Sequence, residues 1–404
     1  MPDVEVHGHV QSEFEAVRRT VVDNLAHGGD VGTAVAVWHR GELVVDIWGG
    51  FACKETNSPW KEDTLCMVFS VTKGMVATAC LVAHERGVFD YDARLVDYWP
   101  ELDCGGKRDI TVRQLMNHRS GLVAFDTPLT IEDFVAETPV QRAMIVQEPL
   151  WSPGTTQGYH GVTFGPYVAE IFRRAVGQTV GSYFREHVAQ PFGLDVHIGL
   201  PEEHDARVAT LYPLSSAQRI LKGLPYILRH PKSTEARLLS ALVNSGSTTA
   251  RAFASPAELG AKGVANFNRK IVRRLELPWA NGIGTARDIA KMYAVLAAGG
   301  TLAGQRLVRA ETIAPVWERQ SFAMDTVLRK PAGWSQGFIK EETHLFSPAT
   351  EAFGHPGMGG ALGFCDPTRD LAWAYVNNAM DFRLRSPRAL AVSHAIYESL
   401  GVVQ

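Results

Sequence analysis

The apolar residues of the chain repeat with two periods, and the change from one to the other divides it. Over residues 11–27, Phe14, Val17, Val21 and Leu25 recur three and four residues apart, which predicts a helix with one buried face. Residues 32–38 and 43–50 are β-rich instead. They flank His39-Arg40-Gly41-Glu42 and predict an antiparallel hairpin turning near Arg40 and Gly41. Helical spacing returns with Val71, Met75, Thr78, Ala79, Val82 and Ala83, and Gly87 supplies a stop. Thr111 and Gln114 have capping-box spacing ahead of a short helix. Residues 131–137, 140–146 and 162–176 predict three more helices. Residues 281–288 form a turn, with Thr285 or Ala286 near the start of a helix striped by Ile289, Met292, Tyr293, Leu296 and Ala297. Beyond it, residues 361–365 and 371–378 predict a second hairpin across Asp366-Pro367-Thr368-Arg369-Asp370, and residues 389–400 a closing helix.

Strand patterns therefore lie toward both ends and helical patterns fill the middle. That order predicts an α+β fold: an antiparallel sheet built from both termini with flanking helices, and an inserted, mostly helical domain. The expected division is residues 1–65 with 285–404 for the sheet domain, and 66–284 for the helical one. Residues 217–275 differ in composition from the rest, with eleven Lys or Arg against two Glu. Ile220, Leu221, Leu224, Ile227 and Leu228 have helical spacing there, but Gly223 and Pro225 are expected to interrupt the helix. The segment reads as a basic cap with its own apolar face, or as a lid over a cleft. The broken pattern favours a plain cap over an amphipathic element on anionic membrane.

Composition narrows the function classes. At 46% hydrophobic and 21% charged residues the chain resembles ordinary globular proteins, and a net charge of −3 gives no basic surface for nucleic acid. The five cysteines (Cys53, Cys66, Cys80, Cys104 and Cys365) are odd in number and irregular in spacing, which suggests neither a disulfide framework nor a zinc site. A reducing compartment, hence a cytoplasmic location, is expected. The first ten residues have no basic and apolar regions of a secretory signal. No apolar run approaches about 18 residues, so no stable membrane insertion is expected.

The chemistry is concentrated around Ser70-Val71-Thr72-Lys73. Ser70 stands near a helix start and Lys73 one turn on, on the same face. A serine hydroxyl needs a base within hydrogen-bond reach, and a desolvated lysine is one. The helix N-terminus favours negative charge developing there. Four residues alone read first as a capping Ser and a solvated Lys. Further along stand Leu115-Met116-Asn117-His118-Arg119-Ser120-Gly121-Leu122, Trp151-Ser152-Pro153-Gly154, Tyr159-His160-Gly161 in an irregular and surface-accessible loop, and His355-Pro356-Gly357. No serine sits in Gly-x-Ser-x-Gly, which argues against an α/β-hydrolase elbow.

In this order the elements resemble those of the β-lactamase-like serine hydrolases, and among them the family VIII carboxylesterases related to class C β-lactamases. The resemblance runs from about Gly32 to Asn378 and implies a β-lactamase/transpeptidase-like fold. It implies Ser70 as the acylated nucleophile, with Lys73 and Tyr159 sharing the roles of base and proton shuttle. His355-Pro356-Gly357 matches the family's third element on a strand edging the cleft, so the N–H groups of Ser70 and Met358 would form the oxyanion hole, supported by His355 and Gly357. His355, with an ordinary pKa near 6.5, is expected to hydrogen-bond Tyr159 or the substrate and to titrate in the working range. The sequence departs from the family pattern at Gly161, often Asn, and at His355-Pro356, usually a Lys or His followed by Thr. A neutral imidazole and a proline hold a β-lactam carboxylate poorly. The resemblance thus implies hydrolysis of short- or medium-chain acyl esters through acyl-Ser70, with weak or no β-lactamase activity. The partner is a small-molecule ester, and neither a cofactor nor a metal is implied. A peptidase, amidase or acyltransferase on the same scaffold remains open. So does a retired scaffold, against which the intact Ser70, Lys73 and Tyr159 speak.

Overall fold

The structure, a computed structural model, describes residues 5–260, 263–341 and 345–402. The first four residues of the N-terminal segment, and residues 261 and 262 of the basic segment, lie outside it.

The predicted hairpin forms from strands Gly32–His39 and Glu42–Cys53. Arg40 and Gly41 both take positive φ, 52° and 80°, as a two-residue turn between twisted strands requires. The second hairpin, Leu362–Asp366 with Leu371–Asn377, pairs onto the first, placing Ala374 opposite Ala36. Strands from both chain ends thus share one antiparallel sheet. Its order is Val6–Val10, Glu42–Cys53, Gly32–His39, Leu371–Asn377, Leu362–Asp366, Phe353–Pro356, Phe338–Lys340, Pro331–Ser335 and Ser321–Met324, with Ser58–Pro59 paired onto Glu42–Cys53. The first strand and the last three had no clear signal in the sequence.

Alternation along the strands decides what each face packs against. Val35 and Val37 join Val17, Val21, Val392 and Ile396, so helices Glu15–Asp23 and Pro387–Ser399 cover that face. Full burial of an aliphatic side chain contributes roughly 1.5–3 kcal/mol, enough for these few residues to hold both terminal helices. Ala34 and Ala36 point the other way and join Ile289 and Tyr293 of helix Ala286–Ala297, capped by Thr285 as expected. Small residues on that face let this helix pack close. The same cluster continues into helix Val71–Glu85, whose residues 71–83 are all buried, and into helix Phe164–Val176.

Helices Ile131–Ala136 and Thr138–Val146 match expectation, and Thr111 and Gln114 make the reciprocal bonds of a capping box. The basic segment differs from it. Helix Ser216–Arg229 runs unbroken through Gly223 and Pro225. Ser215 and Gln218 cap its start, and Gly223 and Tyr226 turn inward, where Tyr226 meets Phe382 edge-on at 5.7 Å. Tertiary contact overrides the two weak helix formers. A second helix, Thr234–Val243, completes the cap. Among the described residues no helix is long and apolar enough to cross a membrane, and all five cysteines are free.

Candidate active site

Ser70 stands where an extended segment turns into helix Val71–Glu85. Phe69 bends the chain with a left-handed φ of 47°, a conformation unfavourable for a bulky residue and held here by its surroundings. Its carbonyl accepts from the Thr72 N–H at 2.9 Å and from the Thr72 hydroxyl. The Thr72 hydroxyl also accepts from the Gly282 N–H at 2.7 Å, and Val68 N–H donates to the Gly282 carbonyl at 2.9 Å. The helix start is thereby tied to strand Gly282–Gly284.

One turn on, Lys73 is fully buried. Its Nζ lies 3.0 Å from the Gly161 carbonyl, 3.1 Å from the Trp279 carbonyl and 3.4 Å from Ser70 Oγ. Among the described residues no carboxylate compensates for its burial, and desolvation holds its pKa well below the ordinary lysine value. Tyr159 comes from a loop 89 residues away in the chain, and its hydroxyl lies 2.9 Å from Ser70 Oγ. Burial raises the phenol's pKa, partly offset by the Ser70 hydrogen bond, so the phenol keeps its proton.

The loop carrying Tyr159 is irregular, but residues 157–161 are buried rather than surface-accessible as expected. Interactions from distant segments hold it. Tyr159 N–H donates to Asp325 Oδ1 at 3.0 Å, a carboxylate that also accepts from the Val327 and Leu328 N–H groups. The Tyr159 ring stacks on Trp334 at 5.6 Å and meets His118 edge-on at 5.0 Å. His160 N–H donates to His118 Nδ1 at 3.1 Å, while His160 Nε2 lies 2.6 Å from Ser120 Oγ. Desolvation holds His118 and His160 neutral, the latter lowered to about 3. His118 and Ser120 both fall in the 115–122 stretch, so the sequence carried that signal. Asp325 and Trp334 carried none.

His355 lies on strand Phe353–Pro356 and lines the same cavity as Ser70. Its Nδ1 donates to the Pro356 carbonyl at 2.8 Å, so Nε2 is the unprotonated nitrogen, and it is buried without a partner. The expected hydrogen bond to Tyr159 is absent; the two rings lie 6.0 Å apart. Nor does His355 titrate near neutrality, because desolvation, with the nearby Lys73 adding to it, lowers its pKa to about 3. Gly357 is the one residue type that fits its position: a Cβ there would come within 2.3 Å of the Val68 carbonyl oxygen. Met358 follows at the cavity rim, at the start of a short turn. Gly161 is likewise explained, because a Cβ on it would lie 2.3 Å from the Phe253 ring. Phe253 fills the room a side chain at 161 would take.

These groups open into a cavity of about 310 Å³ with mostly apolar walls, among them Phe253, Leu238, Leu242, Trp279, Phe346 and Phe382. Among the described residues one group has donors spaced for a metal ion, Asp195, His197 and His204. Arg207 already pairs with Asp195 and reaches His204 Nδ1 at 3.3 Å, and none of the three lines this cavity.

The arrangement thus joins a serine hydroxyl, a desolvated amine and a protonated phenol beside a mostly apolar cavity, the parts a nucleophile with its base would need. A Beta-lactamase family model matches residues 17–395. The esterase/beta-lactamase LipL of Mycobacterium tuberculosis is 30% identical over 384 residues, covering 95% of this chain and 84% of its own. The crystal structure of a family VIII carboxylesterase superposes with a TM-score of 0.85 at 36% identity, over 98% of this chain and all of its own. A penicillin-binding protein homologue from Caulobacter crescentus gives 0.83 at 33% identity, over 98% of this chain and 100% of its own. Matched along nearly its whole length in sequence and in fold, the chain belongs to the β-lactamase family.

Proposed function

We propose that the protein is a carboxylesterase that cleaves short- or medium-chain acyl esters through an acyl-Ser70 intermediate. The observation that carries this reading is the placement of Ser70 Oγ 2.9 Å from the Tyr159 hydroxyl and 3.4 Å from Lys73 Nζ, at an apolar cavity. A neutral Lys73 amine has two N–H bonds and one lone pair. The Gly161 and Trp279 carbonyls accept the two N–H bonds, which leaves the lone pair for the Ser70 proton.

In the first step Ser70 Oγ bonds to the ester carbonyl carbon while its proton passes to Lys73. The carbonyl π electrons move to the oxygen, which the N–H groups of Ser70 and Met358 stabilise as the oxyanion hole. Collapse restores the carbonyl and breaks the bond to the alcohol. The leaving alkoxide takes the Tyr159 proton, and the Lys73 ammonium, with Nζ 4.7 Å from the Tyr159 ring centre, returns its proton to the phenolate. Water repeats the sequence to release the acid. His355 and Gly357 support the strand end that presents Met358.

The apolar walls suit an acyl chain, and a cavity of about 310 Å³ bounds its length. The relatives named esterases support this substrate class. At His355-Pro356 the site offers neither a permanent cation nor a hydroxyl. Of the other cations lining the cavity, Lys330 and Lys340 are buried, Arg383 is paired with Asp381 at 3.0 Å, and Arg385 is half-buried beside it. Poor β-lactam hydrolysis follows. Five free cysteines support a cytoplasmic location.

The test is a panel of p-nitrophenyl esters of graded acyl length, with nitrocefin and penicillins beside it, and a serine-directed phosphonate with mass spectrometry of the adduct. Esters should exceed β-lactams in kcat/KM by orders of magnitude. The label should fall on Ser70, and Ser70→Ala should lower turnover by about a millionfold or to background, as for loss of other catalytic serines. Comparable kcat/KM for a penicillin, or substantial turnover by a folded Ser70→Ala, overturns the reading.

A further inference from the structure

The cap has two apolar faces. Leu238 and Leu242 of helix Thr234–Val243 turn inward and line the Ser70 cavity. Leu239 and Val243 of the same helix turn outward, 48% and 79% exposed. On helix Ser216–Arg229, Ile220, Leu221, Leu224 and Leu228 are also exposed, Leu221 at 76% and Leu228 at 71%. At about 100° per residue these four fall within one arc of about 100°, so they form a stripe rather than scattered positions. Gly223 and Tyr226 occupy the opposite, inward side. A continuous exposed stripe of this kind marks an interaction surface.

Charge says what covers it. Lys222 and Arg229 flank the stripe, with Lys232 and Arg237 just beyond, all four exposed and none in an ion pair among the described residues. Residues 216–243 carry five basic residues, Arg219, Lys222, Arg229, Lys232 and Arg237, against the single acidic Glu235 in a chain whose net charge is −3, so positive charge accompanies the exposed apolar residues. The interruption expected at Gly223 and Pro225, which disfavours an amphipathic membrane element, does not occur: the helix is continuous.

We infer that the outer face of residues 216–243 docks the protein onto anionic phospholipid membrane, the apolar stripe entering the headgroup boundary and the flanking Lys and Arg meeting lipid phosphates. Because the inner face of the same cap lines the cavity, docking brings the cavity rim to the lipid surface. Among the described residues no helix is long and apolar enough to span a bilayer, so the attachment proposed is peripheral and reversible.

The test is co-sedimentation of the full chain with vesicles of phosphatidylcholine alone and of phosphatidylcholine mixed with phosphatidylglycerol. Wild type should pellet with the mixed vesicles, far less with the neutral ones, and should be released by raised salt. The pair Leu221→Asp and Leu228→Asp should lower partitioning by about tenfold or more, since buried apolar area sets the affinity. Lys222→Glu with Arg229→Glu should abolish the preference for the anionic vesicles. None of these residues lines the cavity, so circular dichroism and hydrolysis of a water-soluble ester should stay at wild-type values. The binding measurement does not use that hydrolysis, so failure of the esterase reading would leave it standing. Absence of pelleting by wild type, or equal pelleting by wild type and the Leu variants, overturns the inference. So does a wild-type dimer in sedimentation velocity that the Leu variants dissolve without any vesicle binding, which would give the face to a second copy of the chain.

Discussion

Gly161 gives a direct test of how Lys73 is held. An ideal Cβ there would lie 2.3 Å from Phe253 Cε1 and 2.9 Å from Cδ1 and Cζ. Non-bonded carbons settle at about 3.5–4.0 Å, so Gly161→Ala must push the ring back by about 1.2 Å or more. Overpacking of this kind costs about 1–3 kcal/mol. Against it stands a gain of about 0.4–1 kcal/mol from the stiffer unfolded chain, available because Gly161 does not need positive φ. The clash should win, for a net loss of about 1–2 kcal/mol. In a Phe253→Ala background the clash is gone, so the same substitution should be neutral or slightly stabilising. The two sites should therefore couple by about 1–3 kcal/mol in a double-mutant cycle. Urea unfolding of the four proteins, with m-values compared, measures it. Activity should follow stability, because the Gly161 carbonyl accepts a hydrogen bond from Lys73 at 3.0 Å and moves with the loop. Equal cost of Gly161→Ala in both backgrounds would refute the idea that Phe253 occupies this space.

Two further predictions concern protonation. Lys73→Ala, Tyr159→Phe and the double mutant should all lose ester turnover by similar large factors, because one proton path joins them; a double mutant showing the product of the single losses would separate their roles. His118, His160 and His355 are buried with lowered pKa values, whereas unfolded histidines titrate near 6.5. Below pH 6.5 the unfolded chain therefore binds more protons, and stability should fall as pH falls toward about 3, by up to about 1.4 kcal/mol per pH unit for each histidine. Urea midpoints between pH 7 and 5 should show that decline, and His355→Gln should flatten it; an unchanged slope in the variant would mean His355 is not neutral in the fold. Over pH 5–9 His355→Ala should lower kcat/KM by about 10- to 1,000-fold without reshaping the pH profile, and a loss as deep as that of Ser70→Ala would make His355 the base.

Much of this protein was legible from local pattern. The Thr111–Gln114 capping box, the Arg40-Gly41 hairpin and the amphipathic helices depend on residues a few positions apart, so periodicity and turn chemistry specify them. The spacing of Ser70 and Lys73 is of the same kind, since one helical turn sets their common face. The strands between residues 321 and 340 were not legible: they are three to five residues long, hold Gly, Pro and Lys, and exist because neighbouring strands accept their hydrogen bonds. Helix Ser216–Arg229 survives Gly223 and Pro225 because its inward face packs against Phe382. Tyr159 reaches Ser70 across 89 residues only because Asp325 and Trp334, which have no motif of their own, hold its loop. The protonation states belong to the tertiary structure altogether. A lysine or histidine has one ordinary pKa in any sequence, and only the packing that removes water from Lys73 and His355 lowers both and favours their neutral forms.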